Sequence, residues 1–147
     1  MKFKVVKDKF RKNKDYFLPK RSTAQSAGYD FFAPYNFTIS SKEKYCVWTD
    51  IKAELNSNQL LMIVPRSSIA IKYNLKLANV VGIIDADYYN NPDNDGNIGI
   101  CLENIGDSPV TINKGDKIVQ GLILTYCKID EDNEKKIRGG GFGSTGK

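Results

Sequence analysis

Short apolar runs alternate along the chain with clusters of turn-forming polar residues. The runs fall at residues 3–6, 30–33, 37–39, 45–50, 60–64, 80–84, 98–103, 110–112 and 118–128. Between them lie Asn56-Ser57-Asn58, the stretch 90–96, Gly106-Asp107 and Asn113-Lys114-Gly115-Asp116, residue types that favour turns by positive φ or by bonding their own backbone. Many short strands at such spacing predict an all-β sandwich or barrel, not βαβ units. One short helix is expected from Ser67 or Ser68 to about Tyr73, with a Ser as its N-cap and Ile69, Ala70 and Tyr73 on one face. From residue 128 the chain is charged and then Gly-rich, with only Ile129, Ile137 and Phe142 as large apolar residues, so this tail is expected to be mobile by itself.

Composition narrows the chemistry. The 147 residues suffice for one domain with a core that buries roughly two-thirds of the unfolded surface. There is no His, which removes Ser-His-Asp triads, Cys-His pairs, His-ligated metals and any His base. Acid–base work falls to carboxylates, Lys, Tyr or Cys. Cys46, Cys101 and Cys127 are far apart, with no C-x-x-C, and each reads as a small core residue in a reducing compartment. No apolar run approaches the ~20 residues that span a bilayer, and the charged start does not suit a signal peptide. A soluble, cytoplasmic protein is expected. Residues 1–21 carry nine Lys/Arg against Asp8 and Asp15, a net +7, whereas the remainder holds 13 basic and 15 acidic side chains. That basic segment reads as a solvated first strand and loop in preference to a nucleic-acid arm.

Three places concentrate candidate chemistry. The stretch 141–147 fits G-x-G-x-x-G and most of G-x-x-x-x-G-K, but these patterns need a strand before them, and a charged, Gly-rich approach does not read as one, so both motif readings are rejected. Its Gly, Ser and Thr residues can still turn several N–H groups and hydroxyls toward one anion, with Arg138 as a charged fork. Pro65-Arg66-Ser67-Ser68 offers two hydroxyls and a guanidinium at a helix start, which suits a phosphate and equally suits ordinary capping. Asp85 follows Val80-Val81-Gly82-Ile83-Ile84, placing a carboxylate at the end of a strand expected to be buried. There it costs free energy unless it is paired or used, and it becomes the candidate base.

Five segments in order resemble the motifs of the homotrimeric dUTPase family (dUTP pyrophosphatases). They are Ala27-Gly28-Tyr29-Asp30-Phe31-Phe32-Ala33, then Pro65-Arg66-Ser67-Ser68-Ile69-Ala70, and then Asn79-Val80-Val81-Gly82-Ile83-Ile84-Asp85-Ala86-Asp87-Tyr88. Gly115-Asp116-Lys117-Ile118-Val119-Gln120 is the fourth, and Arg138-Gly139-Gly140-Gly141-Phe142-Gly143-Ser144-Thr145-Gly146 the fifth. The resemblance implies a jelly-roll-like β domain over residues 1–137 and a flexible Gly-rich arm over 138–147 that closes the active site. It also implies a homotrimer that hydrolyses dUTP to dUMP and pyrophosphate with Mg²⁺, limiting uracil in DNA and supplying dUMP.

By the same resemblance, Asp85 would deprotonate the attacking water and Tyr88 would pack on the deoxyribose. Main-chain groups near Ile83, Ile84 and Gly99, after Asn79 and with Gly82, would read uracil. Arg66, Ser67, Ser68 and Gln120 would hold the triphosphate, and Asp30 would steady Mg²⁺ through its water shell. Arg138, Gly143, Ser144 and Thr145 would close on the phosphates while Phe142 stacks over uracil. One departure is the polar stretch Tyr89-Asn90-Asn91-Pro92-Asp93-Asn94-Asp95-Gly96-Asn97, longer than the family's usual turn and read here as a surface extension of the hairpin. A dCTP deaminase of the same fold is the nearest alternative, disfavoured by the closing arm. A regulatory protein-binding module on the same scaffold is a third reading, with no partner identified.

Overall fold

The computed structural model describes residues 1–135 and residue 140. Its twelve strands are β1 (Lys2–Val5), β2 (Lys20–Arg21), β3 (Tyr29–Phe32), β4 (Phe37–Ile39), β5 (Lys44–Trp48), β6 (Ile51–Glu54), β7 (Gln59–Pro65), β8 (Leu75–Leu77), β9 (Gly82–Asp85), β10 (Gly99–Asn104), β11 (Val110–Ile112) and β12 (Lys117–Thr125). Helix α1 spans Ser67–Tyr73, and single 3₁₀ turns lie at Asp8–Phe10 and Ala86–Tyr88. The strands form one five-stranded sheet, β2-β3-β12-β7-β9, one three-stranded sheet, β5-β10-β8, and the pairs β1-β6 and β11-β4. The expected all-β, jelly-roll-like architecture with one short helix is the observed one.

Alternation builds the core. Along β10, Ile100 and Leu102 turn inward while Cys101 and Glu103 turn outward, as a period of two requires. These side chains meet Phe31, Val47, Ile51, Leu61, Ile63, Ile118 and Val119 in a single buried cluster. The long central strand β12 pairs with both β3 and β7, and so holds the largest sheet together.

Several expectations are corrected. The apolar run at 45–50 is not one strand: the chain breaks at Thr49-Asp50, where Asp50 has φ 58°, and resumes as β6. The buried Asp50 carboxylate makes this corner, accepting the backbone N–H groups of Lys12 (2.9 Å) and Asn13 (2.7 Å) and the Asn97 amide (2.8 Å). A corner specified by a buried acid meeting a distant loop has no local apolar signature. The run at 80–84 loses Val80, which sits at φ 66° and is 77% exposed, and β12 ends at Thr125, short of residue 128. Neither serine caps α1; Arg66 occupies the N-cap position without a side-chain bond, and its carbonyl accepts Ile69 and Ala70 N–H. The basic N-terminal segment is built into the fold through β1-β6 pairing and the Asp50 contacts.

The cysteines also depart from expectation. Cys46 and Cys101 face each other in the β5–β10 register with Cα atoms 4.0 Å apart and are joined by a disulfide, while Cys127 is free and exposed. None of the three is in the core, because Cys46 and Cys101 fall on the outward phase of their strands. Thiol titration of the denatured, unreduced chain is expected to give one thiol, rising to three after reduction. Reduction should lower stability by about 2–4 kcal/mol, the typical range for a native cross-link. Three thiols before reduction would contradict the pairing.

Candidate active site

Among the described residues, strand β9 is an edge strand paired only with β7. Asp85 therefore ends a half-exposed strand, not a buried one: Ile83 is 48% exposed and Asp85 half-buried. Among the described residues, the outer backbone edge of β9 has no strand partner, leaving its N–H and C=O groups available to a flat ligand with its own donors and acceptors. That edge faces a cavity of about 480 Å³ whose lining includes Asn79, Gly82, Ile83, Ile84, Asp85, Tyr88 and Gly99. Ile63, Leu77 and Ile100, each almost wholly buried, supply apolar walls. An apolar slot with a few fixed polar groups and one carboxylate at its rim suits a planar heterocycle on a polar stem. Gly99 keeps its place on the wall despite the long polar stretch before it.

The structure gathers a second set of residues outside this lining. Asp30 in β3 lies opposite Gln120 in β12, and its carboxylate is 3.1 Å from Arg66 Nε and 2.9 Å from Lys117 Nζ, with a hydrogen bond from Ser22 Oγ at 2.5 Å. Burial alone would raise the Asp30 pKa; the Ser22 hydroxyl, Lys117 and Arg66 outweigh it and hold the carboxyl below its usual value. Gln120 in turn lies against Gly28, where an added Cβ would come within 2.6 Å of Oε1 and push the Gln120 amide aside. Ser67 and Ser68 are exposed in the first turn of α1, beside Arg66. Two cations, two hydroxyls and an amide suit a polyanion. Lys117 and Ser22 were missed as site candidates; Lys117 stood inside a quoted motif, but only folding reveals that it meets Asp30. Arg138, Phe142, Gly143, Ser144 and Thr145 lie outside the described residues.

Magnesium takes oxygen ligands and keeps several waters, and it commonly arrives on phosphates. Among the described residues no cluster of three acidic or sulfur ligands exists. An ionised carboxylate offers about four lone-pair sites. Three on Asp30 are taken, by Arg66, Lys117 and Ser22. The residues present thus fit an ion brought by a polyphosphate and touched through one water, and do not fit a resident ion held by a protein cage.

An all-β scaffold with a heterocycle-sized slot, a rim carboxylate and a separate polyanion cluster suits a protein that handles nucleotides. The dUTPase family profile matches residues 14–146, nearly the whole chain. The deoxyuridine 5'-triphosphate nucleotidohydrolase of Lactococcus lactis is 43% identical over 92% of this chain and 91% of its own length. The mouse enzyme of the same name is 38% identical over 88% and 78%, respectively. The crystal structure of the Streptococcus mutans dUTPase superposes with a TM-score of 0.78 at 36% identity, covering 88% of this chain and 99% of that one. The chain belongs to the dUTPase family, the enzymes that hydrolyse dUTP.

Proposed function

We propose that this chain hydrolyses dUTP at the α-phosphorus, with Asp85 as the base. The observation that carries the reading is the single cavity uniting the β9 edge, Tyr88 and the Asp85 carboxylate. Uracil enters the slot and bonds main-chain groups of Ile83, Ile84 and Gly99, with Asn79 and Gly82 shaping the turn. Tyr88 packs on the deoxyribose. A water held by Asp85 attacks the α-phosphorus; Asp85 takes its proton, the bond from that phosphorus to the bridging oxygen breaks, and pyrophosphate leaves with the electron pair. Arg66, Ser67, Ser68 and Gln120 hold the triphosphate, and Arg138, Gly143, Ser144 and Thr145 of the arm 138–147 close over it while Phe142 stacks on the base. Mg²⁺ bound to the phosphates would supply charge neutralisation there, with Asp30 steadying it through water.

The separation of the base slot from the cation cluster supports a site assembled between subunits of a homotrimer, the slot of one facing the Arg66 cluster of another. Light scattering should return a trimer mass; a monomeric, active protein would remove this part. Among the described residues no helix is long and apolar enough to cross a membrane. A cytoplasmic location, where deoxynucleotide triphosphates are made and used, remains our proposal. It no longer rests on reduced thiols, given the Cys46–Cys101 bond.

The testing experiment is turnover on dUTP, dCTP, dTTP and UTP. dUTP should be strongly preferred, and dCTP should yield no deaminated product. A 2′-hydroxyl against Tyr88 would clash or be buried without a partner, a cost of roughly 1–3 kcal/mol, so UTP should be a poor substrate and Tyr88→Ala should narrow the gap. Equal kcat/KM for dUTP and UTP in the parent protein would overturn the placement of Tyr88.

A further inference from the structure

The polar stretch 89–97, read from sequence as a surface extension, is not one. Asn91, Asp95 and Asn97 are at most 2% exposed. Asp95 meets the buried Lys52 ammonium at 2.7 Å and accepts the Lys7 N–H at 2.8 Å. Asn97 exchanges side-chain bonds with Asp50, its Nδ2 donating to the carboxylate at 2.8 Å and its Oδ1 accepting the Asp50 N–H at 2.9 Å. Gly96, at φ 82°, presses against Tyr88 so closely that a Cβ would lie 2.6 Å from the Tyr88 carbonyl oxygen. A stretch anchored at both ends and packed on one tyrosine is placed to hold that tyrosine still.

The hydroxyl of Tyr88 is where the holding is directional. The Asn94 amide donates to Tyr88 Oη at 2.6 Å, and Tyr88 donates onward to the Asn97 carbonyl at 3.0 Å. The orientation of the Asn94 amide is set by its other end, because its Oδ1 already accepts the Gly96 N–H at 2.9 Å. With Oδ1 engaged, Nδ2 must face the phenol, and the phenol must send its own hydrogen to Asn97. This leaves the ring 6% exposed, on the cavity wall. We propose that Asn94 is a positioning residue that sets sugar selectivity by locking the Tyr88 ring against the place of the deoxyribose. The inference rests on the reading of Tyr88 given above. With the lock released, the ring can turn aside and a 2′-hydroxyl gains room.

The test uses the full-length chain and compares kcat and KM for dUTP and UTP in the parent, Asn94→Leu, Tyr88→Phe and the double variant. Asn94→Leu keeps the branched shape but removes both the Nδ2 donor to Tyr88 and the Oδ1 acceptor of the Gly96 N–H. Asn94→Ser, which can still accept from Gly96 N–H but is too short to reach the phenol, serves if the leucine variant does not fold. Thermal melting checks folding, and binding of dUMP against UMP provides a readout besides turnover. The dUTP-to-UTP preference should fall about five- to tenfold, the range of one lost hydrogen bond, mainly through KM. In the Tyr88→Phe background, where the phenol is already gone, the Asn94 change should have no further effect on the preference. A folded Asn94 variant with the parent's preference, or the same fall in both backgrounds, would overturn the proposal. Failure of the underlying reading looks different: the parent itself would then show no preference for dUTP over UTP.

Discussion

Asp85→Asn should lower kcat by about 10²–10⁴ while leaving nucleotide binding largely intact. The substitution preserves the size of the side chain at the end of β9 and removes its ability to take a proton, which is the contribution of a positioned general base. The fold should tolerate the change, because Asp85 lies half-buried at a strand end beside a cavity and not in the core cluster. No histidine is present to substitute for it. Steady-state turnover together with titration of a nonhydrolysable dUTP analogue checks the prediction. Near-parental kcat would redirect the assignment to Asp87, the neighbouring carboxylate in the following 3₁₀ turn.

Asp95→Ala should destabilise the protein by about 3–5 kcal/mol, the cost of leaving one member of a buried ion pair without the other. The Lys52 side chain is only 6% exposed, and the loss of Asp95 leaves it with the Asn90 side-chain oxygen at 2.7 Å and the face of the Tyr89 ring. Asp95 sits at φ 59°, a conformation that alanine adopts less readily than aspartate, which adds to the effect. Replacing both residues, Lys52→Met with Asp95→Ala, should recover part of the loss. The same pair predicts acid sensitivity. Burial works to raise the Asp95 pKa, but the Lys52 hydrogen bond, the Lys7 N–H and the charges of both lysines prevail and depress it. A depressed folded pKa means the stabilisation is fully present above the unfolded value near pH 4, and is lost as pH falls through the lower folded value. Thermal melts of the parent, single and double variants from pH 7 to pH 3 test this. A single variant within 2 °C of the parent would show, at roughly 2–4 °C per kcal/mol, that the pair contributes little.

The site was legible in unequal parts. Arg66 stands in a short motif whose residue types suit a phosphate, Gln120 and Asp30 came only with the family resemblance, and the fold brings Arg66 and Asp30 to 3.1 Å. Asp85 and Tyr88 were legible as a carboxylate and an aromatic after an apolar run, and they do share one cavity. Asn94 was not legible. A run rich in Asn and Asp reads as solvated turn chemistry, because these residues favour turns whether or not they are buried. What separates a surface turn from a buried clamp is the arrival of Lys52, Asp50 and Lys7, all at least 38 positions away from their partners in the stretch.

By itself, the sequence determined the strand-rich class, the short helix, the exclusion of histidine chemistry and the ordered motifs of the dUTPase family. All of these depend on local periodicity, composition or short-range spacing, which a linear chain displays directly. Tertiary structure alone decided that the apolar run at 45–50 bends at Asp50, that β9 is an edge, that Cys46 meets Cys101, and that the polar stretch packs beneath Tyr88. Each of these is a pairing between distant segments. Whether a polar side chain is solvated or buried depends on which partners long-range packing delivers to it, and no window of neighbouring residues contains that information.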